Sequence, residues 1–148
     1  MSLEQLHLES ELQRVLARYA QLCDERDWTL IDQIFSADAT ANYGGWALPD
    51  RATILKMVRD NLGGCGPTQH LLGNLTVEAD AQGVSSRISV RAAHRGAGDK
   101  QLETYDCMGY YHDRWVRTAE GWRIQHRAMV VKLEFGSRKV LGPAAAPN

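Results

Sequence analysis

The chain has 148 residues, 44% hydrophobic and 24% charged, a length and balance that describe one compact domain able to bury a sizeable core. A formal net charge of -1 offers no electrostatic footprint for nucleic acid or for an anionic membrane surface. The N-terminus lacks a basic start, and no apolar run approaches the roughly 20 residues of a spanning helix, so the expected location is cytoplasmic. Three widely spaced cysteines, Cys23, Cys65 and Cys107, fit reduced thiols better than a disulfide framework, and without a CxxC pair they make poor metal ligands.

From the N-terminus, Leu8, Leu12, Val15, Leu16, Tyr19 and Leu22 recur at three and four residues, so residues 3–22 read as a long helix with Tyr19 on its buried stripe. The charged run of residues 24–27 interrupts that pattern, and a second, shorter helix is expected over 28–35. A short strand at 39–43 precedes a third helix, which Asp50 can cap and the Gly63-Gly64 pair can end. After Pro67 the pattern turns to strands at 68–78, 84–95, 101–117 and 122–135, separated by the turn sequences DAQG, GAGD and TAEG. Helices followed by an antiparallel meander argue an α+β fold in which a strongly curved sheet wraps over the helices as a cone. Residues 136–148, ending in GPAAAPN, read as a flexible tail on a single domain.

Several side chains along this frame could carry acid/base chemistry. In the strand at 84–95, alternation places Ser86, Ile88, Val90, Ala92 and His94 on one face, so His94 points inward, either as a core histidine satisfied by one carbonyl or as a pocket residue. His70 shares a phase with Leu72 and Asn74, whereas Leu71, Leu75 and Val77 take the other, so periodicity leaves its direction open. Tyr19 and Tyr43 are each either a structural anchor or a proton donor. Asp24 lies five residues after Tyr19, off the buried stripe, and helical periodicity alone makes it a solvated carboxylate. In the last strand, Trp122 and Ile124 favour one face and Arg127 shares a phase with Met129, Val131 and Leu133, as though a bulge switches the phase; Arg127 is then either a pocket or a surface arginine. No GxGxxG, P-loop, GxSxG or HExxH motif is present.

The segments RYAQLCDERDW at 18–28, FSADATANYG at 35–44, TQHLLGN at 68–74 and GYYHDRWVRTAEGWRIQHR at 109–127 together resemble the NTF2-like superfamily in its SnoaL-like, scytalone dehydratase-like branch. The resemblance implies a cone-shaped α+β barrel with an apolar pocket, assembled as a homo-oligomer, dimer or trimer. Its eliminating members, scytalone dehydratase, bile-acid 7α-dehydratase and hexachlorocyclohexane dehydrochlorinase, work without a cofactor or metal. Their base is a strand histidine supported by an aspartate at the end of the first helix, and these positions fall on His70 and Asp24. Tyr43 and His94 match further pocket residues of scytalone dehydratase, Tyr19 matches the tyrosine of the bile-acid enzyme, and Arg127 falls close to a pocket arginine. The chain departs from scytalone dehydratase in reading Cys23-Asp24 in place of a Tyr-Asp pair and in lacking its pocket asparagine near Tyr111.

The implied function is a cofactor-independent lyase, a dehydratase acting on an apolar cyclic or polycyclic hydroxylated small molecule, with Trp46, Met57, Met108, Tyr111 and Met129 shaping the pocket. A ketosteroid isomerase-like or polyketide cyclase-like enzyme is the alternative within catalysis. A noncatalytic binding module, or the small subunit of a ring-hydroxylating dioxygenase, is the alternative outside it.

Overall fold

In the computed structural model, which describes residues 1–147, the first stripe folds as α1 (Leu3–Glu25). Ser2 opens it with a capping box: its hydroxyl accepts from the Gln5 N–H while the Gln5 side chain accepts from the Ser2 N–H. The buried face carries Leu12, Val15, Leu16, Tyr19, Leu22 and Cys23. The expected second helix is a 3-10 segment, Trp28–Gln33, because Phe35 is taken into the sheet and strand β1 (Phe35–Tyr43) begins there rather than at residue 39.

A short strand that the sequence reading lacked, β2 (Trp46–Leu48), pairs back on β1. The turn between them uses Gly44 and Gly45 at φ 62 and 99, a left-handed pair that side chains with a Cβ disfavour. Helix α2 (Arg51–Leu62) follows, with the Asp50 carboxylate accepting from the Thr53 N–H at 2.7 Å. The meander is then β3 (Thr68–Asp80), β4 (Gly83–Arg95), β5 (Thr104–Thr118) and β6 (Gly121–Gly136).

The six strands form one curved, unclosed sheet in the order β2-β1-β6-β5-β4-β3, with the helices against its concave face. One pairing departs from the expected antiparallel sheet: β1 runs parallel to β6, with Ala41 opposite Arg127 and Tyr43 opposite Met129. No tight turn links these two strands, so nothing local obliges them to be antiparallel.

Two bulges settle the ambiguous faces. In β6, Arg114 pairs with His126 and Trp115 with Ile124, so the skipped Gln125 moves Arg127 onto the buried face with Ile124. In β3 the register shifts between Gly73 and Thr76 around Asn74, which adopts φ 59. His70 and Leu72 before the bulge and Leu75 and Val77 after it therefore all turn inward, while Leu71 is 64% exposed.

The segment from residue 136, expected as a flexible tail, is packed as far as residue 143. A 3-10 turn, Arg138–Val140, buries Val140. Gly142 donates to the Asn61 carbonyl and its own carbonyl accepts from Gly64, each at 2.8 Å. A Cβ at Gly64 would stand 2.2 Å from the Pro143 carbonyl oxygen, so the Gly63-Gly64 pair admits this strap as well as ending α2. Asn148, the last residue of the expected tail, lies outside the described residues.

Candidate active site

Asp24 sits on the last turn of α1, on the flank of the helix that faces the edge strand β3. Periodicity along α1 measures direction relative to the sheet's middle and is blind to this edge strand, so the expectation of a solvated carboxylate is corrected. One carboxylate oxygen, Oδ1, lies 2.7 Å from His70 Nδ1 and accepts from the Thr68 hydroxyl at 3.0 Å; the other accepts from the His70 backbone N–H at 2.8 Å. Burial opposes the charge of Asp24, but the bonds from His70 and Thr68 outweigh it and hold the carboxyl below its ordinary value. Facing a carboxylate, Nδ1 of His70 carries the proton, which leaves Nε2 with its lone pair.

His94, on β4, stands beside it with ring centroids 5.7 Å apart and the rings nearly perpendicular. Its Nδ1 lies 2.7 Å from the Tyr105 carbonyl, an acceptor only, so this ring too holds its proton on Nδ1. Burial lowers its pKa, and the bond to Tyr105 only partly offsets that. His94 thus satisfies both readings of the sequence: it is anchored by one carbonyl, and it lines the cavity.

That cavity, about 610 Å³, lies between the concave face of the sheet, α1 and α2. His70, His94, Tyr19, Tyr43 and Tyr111 border it together with Trp46, Met57 and Met129. The phenol oxygens of Tyr19 and Tyr43 are 2.9 Å apart, so one donates to the other and the second proton is free for a guest. Burial raises the pKa of both phenols, keeping them protonated donors.

Two expected site residues are placed elsewhere. Met108 belongs to the outer face of the sheet, beside Tyr110 and Lys132, because β5 pairs with β4 without a register shift and its alternation from Tyr111 puts Cys107 rather than Met108 inward. Arg127 is fully buried behind the cavity and is absent from its lining. Its Nε and Nη2 donate to the two carboxylate oxygens of Asp113, each at 2.7 Å, and its guanidinium stacks on the rings of Tyr111 at 3.9 Å and Tyr19 at 4.4 Å. Burial works against the arginine's charge, but the Asp113 carboxylate prevails and holds its pKa well above the ordinary value.

The sequence reading missed Asp113, which shares the inward phase of Tyr111 and Trp115 on β5 and was therefore detectable as a charge on a buried face. It also missed Thr68, in phase with His70, and the cavity wall supplied by Asn61, Arg138 and Leu141. Nothing in the local pattern of residues 138–141 marks them as a wall. Among the described residues no group of three His, Cys, Asp or Glu side chains is arranged to hold a metal ion, and no helix is long and apolar enough to cross a membrane.

A SnoaL-like domain family model matches residues 4–128, and the chain belongs to that family. An uncharacterized Mycobacterium tuberculosis protein, Rv2910c, is 33% identical over 119 residues, covering 79% of this chain and 80% of the relative. Among solved structures, a candidate scytalone dehydratase from Novosphingobium aromaticivorans superposes with TM-score 0.79 at 15% identity, covering 97% of each chain. A type 2 hexachlorocyclohexane dehydrochlorinase superposes with TM-score 0.78 at 16% identity, covering 98% of this chain and 97% of its own. At these identities the likeness is one of fold.

Proposed function

We propose that the protein is a cofactor-independent lyase of the dehydratase type. In this reading His70, held by Asp24, removes a proton next to a carbonyl of an apolar cyclic hydroxylated substrate. The observation that carries it is the 2.7 Å contact between Asp24 Oδ1 and His70 Nδ1, in which Nε2 keeps its lone pair and the ring borders the cavity. A neutral imidazole held in one tautomer by a carboxylate is the group such a step requires.

The step balances within these residues. His70 Nε2 takes the proton, the electron pair left on carbon delocalises into the carbonyl as an enolate, and the Tyr19–Tyr43 pair donates to the developing oxyanion. Collapse of the enolate expels the β-hydroxyl, which the proton on His70 converts to water. His94, whose Nε2 is an acceptor, orients a substrate hydroxyl. Arg127 acts through the tyrosines it stacks on, since it has no face on the cavity.

The apolar part of the lining, with Trp46, Met57 and Met129, suits a fused or substituted ring. The same base could instead return the proton to another carbon, as in an isomerase, and the mass of the product distinguishes the two: loss of water against no change. The test is a screen of hydroxylated aromatic and steroid-like ketones with wild type and His70→Ala. Turnover with loss of water by wild type alone is expected, and equal turnover by both would remove His70 as the base.

The reading includes assembly as a homo-oligomer, dimer or trimer. It is supported by Val130, Leu133 and Phe135, 36%, 55% and 60% exposed along the outer face of β6, an apolar strip suited to burial against a second copy. Sedimentation should give a mass above that of the 16.5 kDa chain, falling to it in Phe135→Glu.

A further inference from the structure

We propose that Arg26 and Thr68 are positioning residues for the Asp24–His70 pair, forming a directed hydrogen-bond relay from Arg26 through Thr68 to Asp24; the proposal rests on the reading of His70 as the base. Arg26 follows α1 in the left-handed conformation, φ 56, a place usually given to glycine. What holds it there is its own guanidinium, which reaches back to the Cys23 carbonyl at 2.5 Å and the Asp24 carbonyl at 3.3 Å, orphan acceptors of the helix end. The same group donates to the Leu62 and Gly66 carbonyls, each at 2.8 Å, so it ties the end of α1 to the end of α2 and to the loop that leads into β3.

Its remaining bond fixes the chemistry. Arg26 Nη1 lies 2.8 Å from the Thr68 hydroxyl oxygen, and a guanidinium has no acceptor, so Thr68 must accept there. The single hydroxyl proton of Thr68 is then directed to Asp24 Oδ1, 3.0 Å away. With the Thr68 hydroxyl and the His70 ring on Oδ1 and the His70 backbone on Oδ2, the carboxylate cannot rotate. The relay therefore sets the plane of the carboxylate and keeps Oδ1 aligned with the imidazole proton. Neither residue borders the cavity, so neither touches substrate.

The test reads the histidine ring directly, using full-length protein labelled with nitrogen-15 and proton–nitrogen spectra of the imidazoles. Wild type should show His70 as the Nδ1–H tautomer with a proton protected from solvent exchange. Thr68→Val should raise the exchange rate of that proton about tenfold, the factor corresponding to one lost hydrogen bond. Thr68→Ser should restore the wild-type rate. Arg26→Gln, which frees the hydroxyl to rotate, should raise it by less.

Exchange of the His70 Nδ1–H in Thr68→Val at the wild-type rate would overturn the relay. If Thr68→Val does not fold, the wild-type spectrum decides: a protected Thr68 hydroxyl proton close in space to the His70 Nδ1–H supports the relay, and its absence overturns it. Retained turnover in His70→Ala would sink the base assignment while leaving these spectra unchanged, so the two failures are distinguishable.

Discussion

The two carboxylate–cation pairs of this molecule, Asp24–His70 and Asp113–Arg127, have the same 2.7 Å contacts and opposite characters. Asp113 and Arg127 are both 0% exposed, bidentate and stacked over by aromatic rings. Asp24 retains 22% side-chain exposure, and its partner borders a cavity with one nitrogen uncommitted. A fully enclosed, bidentate charge pair specifies a structure; one that leaves a lone pair facing a cavity can exchange a proton with a guest. Family resemblance places His70 and Arg127 in the same catalytic set, and the geometry separates them.

Substitutions should separate the two pairs. The largest effect is expected at the open pair: His70→Ala should lower turnover of a substrate found by the ketone screen by ~10²–10⁴-fold, the usual contribution of a general base, with little change in denaturant midpoint. At the closed pair the effect should fall on stability instead. Asp113→Ala leaves a buried arginine without its counter-charge, which is expected to destabilise the fold by about 3–5 kcal/mol in equilibrium denaturation. Asp113→Ala that unfolds like wild type while losing turnover would reverse the assignment of the two pairs.

A smaller effect is expected where the two regions meet. Tyr43→Phe removes one phenol of the Tyr19–Tyr43 pair and should reduce turnover roughly tenfold, about one hydrogen bond's worth. Unchanged turnover would remove Tyr43 as a donor to the developing oxyanion.

The smallest effect is in the pH dependence of stability, and its sign follows from two lowered pKa values. Burial holds the His94 imidazole below its ordinary value near 6.5. As pH falls below that, the unfolded chain takes up a proton that the folded one refuses, and stability declines. Asp24 is held below its ordinary value near 3.8 by its hydrogen bonds, against its burial. Its contribution is present above about pH 4 and is lost as pH falls through the folded value. Denaturation curves taken stepwise toward acid should show both declines, the first absent in His94→Phe and the second absent in Asp24→Asn.

Much of the frame was legible in the residue pattern because burial repeats at the helical or strand period: α1, α2, the four long strands and the inward direction of His94 and Tyr19 all follow from it. What escaped is non-periodic. The bulges at Gln125 and Asn74 reset the faces of β6 and β3, the parallel β1–β6 pairing has no local turn to announce it, and the strap at residues 138–143 is held by backbone bonds that carry no side-chain signal. Asp24 shows the same limit from another side, since its neighbour is an edge strand 44 to 46 residues further along the chain. The resemblance to SnoaL-like proteins supplied that pairing where periodicity argued against it.

The most direct test of His70 as the base is deuterium incorporation from heavy water into a cyclic hydroxy-ketone identified by the screen, followed at the carbon next to its carbonyl. Wild type should exchange that proton, Asp24→Asn should do so much more slowly, and His70→Ala should not exceed the uncatalysed rate. Equal incorporation by wild type and His70→Ala would contradict the account.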